Sequence, residues 1–528
     1  MLAEDKQGNA KIRQMKTGQN IRRLALVSCA LGVALEATAL TQPNLKWELS
    51  EYSTLTNGIL TVDVPRGAKS ELYGATAYVG LEPFEGRSLG AKVMASGENI
   101  ALPANSCHGL KLMLHFQSSV SGDDCWPDAP HRIGSFGKTW LEVGDTLSGG
   151  ARSSWGIIHV GLQGTSGKVV FDMNTFEIVS GESIFPRENG NYLVTYPDGV
   201  AKRPQLRGVQ LPANRCTEDD FKTLAAWGAT LARYQMTNAS HVQNGETPEQ
   251  ALPRYFAWLD AKLDHLDKEV LPWAKKYGID IVIDLHEPPG KRVGSGEFRM
   301  MVEEPYCKAF LDVWRKIATR FKGRKGIYGY DLVNEPNQSK KTKVDYWTVQ
   351  KLAAEEVRKI DPDTPIIIES NGMDSPRTFT YLSPLAMDNV IYEVHMYEPG
   401  DYTHQGVRGE KDFARLEYPR GDRNRDYLVK SLAAVRKFEK KHHAKIYVGE
   451  FSVAGWAPGA DQYLRDCISI FREYGWDWTY HAFREWPGWS VEHEPVKYGV
   501  SDDCFKPSVD NSRKRALVEG LSGCSRVN

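Results

Sequence analysis

Ile327-Tyr-Gly-Tyr-Asp-Leu-Val-Asn334-Glu335-Pro336 is an apolar, β-rich run that ends on a glutamate. A second run, Lys445-Ile-Tyr-Val-Gly, ends in the same way on Glu450. A buried carboxylate is costly unless it is paired, so a glutamate at the carboxyl end of a buried strand is either satisfied by partners or put to use. In a barrel of parallel strands every carboxyl end opens on one face, and catalytic residues collect there.

The barrel is read from periodicity. After about residue 205, short β-rich runs alternate with longer helical stretches, the pattern of βα units around a parallel sheet. The predicted strands are Leu206–Leu211, Ala229–Met236, Ile279–Leu285, Ile327–Val333, Pro365–Ser370, Val390–Met396, Ala444–Gly449 and Trp476–Phe483. Thr217-Glu-Asp-Asp220 reads as a capping box that opens the first helix. Further helices are predicted over Pro253–Tyr277, where an apolar stripe ends at Gly278, and over Glu303–Phe321, Asp345–Ile360, Arg425–His442 and Asp461–Tyr474. The fifth βα unit is the weakest, with only a short helix over Asp374–Leu382. Eight strands in this order predict an α/β fold, one (β/α)8 TIM barrel over 205–528.

The chain before the barrel has another character. Residues 43–185 carry short strand-like runs, such as Gly109–Phe116, Trp155–Leu162 and Lys168–Phe171, separated by Gly, Ser and Asn. This predicts an N-terminal β-sandwich, with 186–204, rich in Pro, Gly and Asn, as a linker. Residues 1–39 read as a signal peptide: basic residues precede the apolar run Leu24–Leu35, and Ala37-Thr-Ala39 supplies small residues for cleavage. The run is too short to span a bilayer. The expected location is therefore secreted or periplasmic, with lipid attachment at Cys29 as the lesser alternative.

Cys29 leaves with the signal, so seven of the eight cysteines remain. Cys504 with Cys524, and Cys107 with Cys125, are candidate bridges in an exported protein, while Cys216, Cys307 and Cys467 are expected reduced in the barrel wall. His442-His443 ends a Lys-rich helix, where a solvated cation at the negative helix end is the expected reading. No metal site and no cofactor are expected. With 66 basic and 67 acidic side chains, the surface offers no field for nucleic acid or anionic lipid. Fourteen tryptophans suit stacking on sugar rings as well as core packing, so the expected partner is a neutral polysaccharide or oligosaccharide, bound by a monomer.

Six motifs then fall in order at or near the carboxyl ends of predicted strands. They are Arg233 in Ala-Thr-Leu-Ala-Arg233-Tyr, His286 in Val-Ile-Asp-Leu-His286-Glu-Pro-Pro-Gly, Asn334-Glu335-Pro336, His395-Met-Tyr397, Glu450 in Val-Gly-Glu450-Phe, and Trp486 after the last strand. Across residues 205 to about 522 the chain resembles glycoside hydrolase family 5 of clan A, the family of many cellulases and mannanases. The resemblance implies hydrolysis of a β-linked glycan with retention, through a double displacement. Glu335 would be the acid/base, with a raised pKa, and Glu450 the nucleophile, kept ionised by Arg233 and a bond from Tyr397. Asn334 would reach the sugar 2-hydroxyl, His286 and His395 would orient these groups, and Trp486 would be the stacking floor. Glu287, Glu398, His404 and Glu485 are candidates for substrate loops.

Plain structural readings stand beside these. Glu335 could cap a helix, Arg233 could be a structural partner of Glu450, His286 a satisfied core histidine, and Trp486 packing. Within the resemblance, an endo-β-1,4-glucanase is the first expectation, with a β-mannanase or an exo-acting β-glucosidase as alternatives. A non-catalytic carbohydrate-binding protein is the alternative from another class. Gly137 to Asp172 faintly resembles carbohydrate-binding modules of jelly-roll form. Trp126 or Trp140 would stack on sugar there, but neither declares itself exposed, which favours a structural role for the sandwich.

Overall fold

The computed structural model describes residues 45–523, apart from 82–86, 106, 118–123, 127, 130–131, 149–154, 184–189, 213–214, 240–241, 244, 294–295, 339–341 and 411–414. The signal and the Cys29 alternative therefore lie outside the described residues. Among those described, no helix is long and apolar enough to cross a membrane.

Eight parallel strands close into a barrel in chain order: β1 (Arg207–Pro212), β2 (Leu231–Gln235), β3 (Asp280–Asp284), β4 (Ile327–Asp331), β5 (Ile366–Glu369), β6 (Val390–Met396), β7 (Lys445–Phe451) and β8 (Asp477–Tyr480). Each falls within or within a few residues of its predicted run. The inward side chains form layers, as the two-residue period of a strand requires. Leu231, Val282, Ile367, Ile391 and Tyr447 belong to an apolar floor. Two residues further along β2, β3, β5 and β6 stand Arg233, Asp284, Glu369 and Glu393, all fully buried. The barrel thus has a dry lower layer and a charged layer directly beneath its catalytic mouth. The outward alternates, such as Ala232, Ile283, Ile368 and Val394, pack under the surrounding helices.

The helices follow the predicted stripes with two corrections. Thr217 caps Glu218–Trp227 through the expected box with Asp220. The helix expected from Pro253 begins at Pro248, after a second capping box on Thr247, and contains a π turn over Leu266–Val270. Pro272 follows that turn; a proline has no N–H to give and crowds the preceding turn, and a π turn absorbs the misfit. The helix expected over Arg425–His442 is two, Arg425–Ser431 and Ala433–His442, broken at Leu432. The weak fifth unit holds a 3-10 turn, Pro376–Thr380.

Residues 45–183 form two five-stranded antiparallel sheets. One holds the strands Leu72–Gly80, Gly109–Gln117 and Trp155–Gln163, and the other Ile59–Val64, Arg87–Ile100, Gly134–Ser148 and Gly167–Ser183. Alternate residues are buried, Ala75, Ala77 and Val79 on one sheet and Leu60, Val62 and Val64 on the other, as expected of two sheets with a shared core. Contrary to expectation, both tryptophans of interest are open, Trp126 at 53% and Trp140 at 44% exposure. Trp126 stacks on His115, with ring centroids 3.4 Å apart.

The stretch 190–204 is fastened to the barrel. Tyr196 donates to the carbonyl of Val390 at 2.6 Å and accepts from the amide of Lys445 at 2.7 Å. The His442 ring donates from Nδ1 to the carbonyl of Tyr192 at 2.9 Å. That corrects the reading of His442 as a solvated cation: it is buried, and burial pushes its pKa below the ordinary value. Cys107, Cys216, Cys307, Cys467 and Cys504 are free thiols. Cys524 and the side chain of Cys125 lie outside the described residues.

Candidate active site

Arg233 organises the mouth. It projects inward from β2, fully buried, and its guanidinium reaches side chains of six other strands. Nη1 donates to Glu450 Oε1 at 2.7 Å and to Gln210 Oε1 at 3.1 Å. Nη2 donates to Asp331 Oδ2 at 2.6 Å, Asn334 Oδ1 at 3.0 Å and Glu369 Oε1 at 3.1 Å. Asp284 and Glu393 lie 3.5 and 3.3 Å away. A planar five-donor fork suits such a cluster as a point charge does not. Burial opposes the charge on Arg233, but Asp284, Glu393, Asp331 and Glu450 outweigh it and hold the guanidinium ionised.

Burial, with repulsion from Glu393, pushes Asp331 and Glu369 well above the carboxylate range. Glu369, Asp374, Glu393 and His395 bring one ligand atom each within 4.8 Å of one another, a spacing that a metal ion could use. Glu369 and Glu393 are already held by Arg233 at 3.1 and 3.3 Å, so the protein supplies its own cation at this centre.

The two strand-end glutamates face each other here. One oxygen of Glu335, one of Glu450 and a ring nitrogen of His395 all lie within 4.8 Å of one another. Glu450 is buried, held by Arg233 at Oε1 and by the Tyr397 hydroxyl at Oε2, 2.9 Å away. Burial opposes its charge, yet His395, His481, Arg233 and His286 hold its pKa well below the usual range. Glu335 is more open, and its Oε1 lies 3.1 Å from His395 Nδ1. The expectation of a raised pKa at Glu335 is corrected. Burial and Glu450 push it up, but the bond from His395 prevails and the net shift is downward. Burial disfavours the imidazolium of His395, while Glu450, Glu369, Glu335 and Glu393 hold it well above the ordinary value. The proton expected on Glu335 therefore rests on its partner His395, and the two titrate as a pair.

Seven of the eight expected residues are brought together. His286 bonds Asp284 at 2.9 Å and Gln235 at 2.9 Å, and lies 3.3 Å from Asn334. Trp486 stands further out. Its indole donates to the carbonyl of Val500, and its ring packs on Trp456, Trp489 and Phe505. Trp489 is the aromatic that borders Tyr397, His404 and His481. Of the loop candidates, His404 packs on Tyr397 and burial brings its pKa down to about 4, so it stands neutral. Glu485 reaches His481 at 3.2 Å, whereas Glu287 accepts from the amide of Ala239 and Glu398 from Tyr427.

Asp331, Glu369, Glu393, His481 and Arg292, whose guanidinium donates to the Glu335 carbonyl, were not expected here. For Glu369 and Glu393 the available signal was spacing, since each stands two residues past an apolar floor residue of its own strand.

The family model for cellulase, glycosyl hydrolase family 5, matches residues 197–485. Endoglucanase C of Acetivibrio thermocellus is 27% identical over 251 residues, 41% of this chain and 72% of its own. Cellodextrinase A of Ruminococcus flavefaciens is 24% identical over 281 residues, 52% of this chain and 80% of its own. Among solved structures, Cel5A of Thermotoga maritima in complex with cellobiose is 19% identical with a TM-score of 0.47, covering 62% of this chain and 99% of that one. A family match over more than half the chain, on a closed barrel with facing glutamates, makes this an O-glycosyl hydrolase that belongs to the cellulase family, glycosyl hydrolase family 5.

Proposed function

We propose that the protein cleaves internal bonds of a β-1,4-glucan with retention of configuration. The observation that carries the reading is the approach of Glu335 and Glu450 oxygens within 4.8 Å. Retaining enzymes hold their carboxyl groups about 5–5.5 Å apart, while inverting ones leave room for a water at about 6.5–9.5 Å. Glu450, ionised and held at both oxygens, attacks the anomeric carbon and forms the glycosyl ester. The leaving oxygen takes the proton that Glu335 and His395 share. Glu335 then accepts a proton from the water that attacks the ester, which frees Glu450 and returns the pair to its starting state. Asn334, fixed by Arg233 at 3.0 Å, faces the 2-hydroxyl, where hydrogen bonds strengthen in the transition state. The names of the relatives, an endoglucanase and a cellodextrinase, support a glucan over a mannan.

The domain division is part of this reading: a signal over 1–39 and export, a sandwich over 43–185, a connecting segment over 186–204, and a monomeric catalytic barrel from 205. The open rings of Trp126 and Trp140 support polysaccharide binding by the sandwich. The test is hydrolysis of a panel of β-glucan, mannan and xylan. Reducing ends and viscosity would be followed together, and the anomer released first would be read by NMR. Early viscosity loss on β-1,4-glucan with β-anomer release is expected. Release of the α-anomer would overturn retention, and reducing ends without viscosity loss would make the enzyme exo-acting.

A further inference from the structure

The nucleophile has a neighbour that the reaction above does not use. His481 follows β8, with its side chain 13% exposed. Its Nδ1 lies 2.6 Å from the Tyr397 hydroxyl and 3.6 Å from Glu450 Oε2, and its Nε2 lies 3.2 Å from Glu485 Oε2. The Tyr397 hydroxyl is also 2.9 Å from Glu450 Oε2. A phenol has one proton to donate, and here two acceptors compete for it. If Nε2–H is given to Glu485 and the ring is neutral, Nδ1 presents a lone pair nearer to Tyr397 than the carboxylate is. If the ring is doubly protonated, Nδ1–H donates to the phenol oxygen and the phenol proton turns to Glu450.

We propose that His481, oriented by Glu485, is a positioning residue of the reaction, whose protonation decides whether Tyr397 donates to Glu450 or to the imidazole. The inference rests on the reading of Glu450 as the nucleophile. The groups that face the ring are Tyr397 and His404 beyond β6, Glu450 on β7, Glu335 beyond β4, Glu485 on its own loop and, through Glu485, His286. Burial opposes a charge on His481, but Glu450 and Glu485 outweigh it and hold the imidazole above its ordinary value. Tyr397 keeps its own proton, because burial and Glu450 push its pKa far up. The working state is thus a chain from Glu485 through imidazolium and phenol to Glu450 Oε2, with Arg233 on Oε1. Held at both oxygens, the carboxylate keeps the attacking geometry, a property felt in kcat more than in KM.

The test compares pH profiles of kcat and KM for the wild type, H481N, H481F and E485Q, with thermal unfolding as the control for folding. Asparagine offers a permanent amide donor where Nδ1 stood, and phenylalanine keeps the ring without one. H481F should lose about tenfold or more in kcat, with KM changed less than about twofold. H481N should recover most of the loss and lack one alkaline ionisation. E485Q should move that ionisation to lower pH, since a negative charge beside the imidazolium is gone. Wild-type profiles in H481F, or equal losses in H481N and H481F, would overturn the inference. Glu450→Ala separates this from failure of the underlying reading: if that variant still turns over, Glu450 is not the nucleophile, whatever His481 does.

Discussion

At Glu335 the backbone itself is held in a left-handed turn, φ 51°. Glu369 Oε2 takes the Glu335 amide at 2.5 Å, and the Arg292 guanidinium grips its carbonyl at 2.5 Å. A side-chain-bearing residue rarely adopts this conformation, and such strain persists where neighbours over-determine it. Those two bonds aim the carboxyl at His395 and Glu450, so the roles of the glutamates can be separated kinetically. Glu450→Ala should abolish turnover on every substrate. Glu335→Ala should spare the first step on aryl glycosides with good leaving groups, which need little protonation. Stopped-flow release of the aryl group measures this, and equal loss on activated and natural substrates would sink the division. The pH profile follows from the same shifts. Glu450 must be ionised and its pKa is depressed, so the acid limb should lie below the ordinary glutamate range. The shared proton is lost as pH rises through the pair, and His395 is held high, so the alkaline limb should lie above the ordinary histidine value.

At the scale of the element, β2, β3, β5 and β6 carry the charged layer, and β7 packs against it at Gly449. Removing one partner of a buried ionic cluster leaves charges unpaired at a cost of about 3–5 kcal/mol. Arg233→Met should therefore destabilise the barrel by about that amount in denaturant unfolding at neutral pH. A loss below 1 kcal/mol would mean that the surrounding carboxyls simply take up protons. On β7, Gly449 leaves the space that Glu393 fills: a Cβ there would stand 1.4 Å from Glu393 Oε1. Gly449→Ala should cost about 1–3 kcal/mol through overpacking, and should lower activity by moving Glu393 off His395, which it meets at 3.2 Å. Unfolding midpoints and turnover of one preparation check both effects.

At the scale of the whole molecule, residues 190–204 are fastened to the barrel, because Tyr192 and Tyr196 bond to it at His442, Val390 and Lys445. A chain shortened to begin at Gly190 should keep full turnover of soluble substrate. One that begins at Gln205 should melt about 5–10 °C lower, having lost several buried hydrogen bonds and a tyrosine from the floor. Differential scanning calorimetry of the two decides it, and equal melting temperatures would return the segment to a free linker. The sandwich is tested separately. Trp126→Ala and Trp140→Ala should reduce retention on insoluble glucan while soluble turnover stays unchanged. Unaltered retention would leave the domain a structural one.

The order of elements was legible along the chain because it rests on local physics. Strand and helix periods, the Thr217 box and Gly278 act through neighbours in sequence, and the glutamates at two strand ends identify themselves by breaking an apolar run. Three outcomes needed the closed barrel. His442, expected in solvent, is buried and bonded to the carbonyl of Tyr192, a residue 250 positions away in sequence. The proton expected on Glu335 rests on His395, because Glu450 from β7 and Glu369 from β5 come beside the imidazole and hold it charged. His481 meets Glu450 and Tyr397 only where β6, β7 and β8 lie side by side. Electrostatic shifts add up over every charge within reach, and which charges come within reach is decided by how the strands close in space.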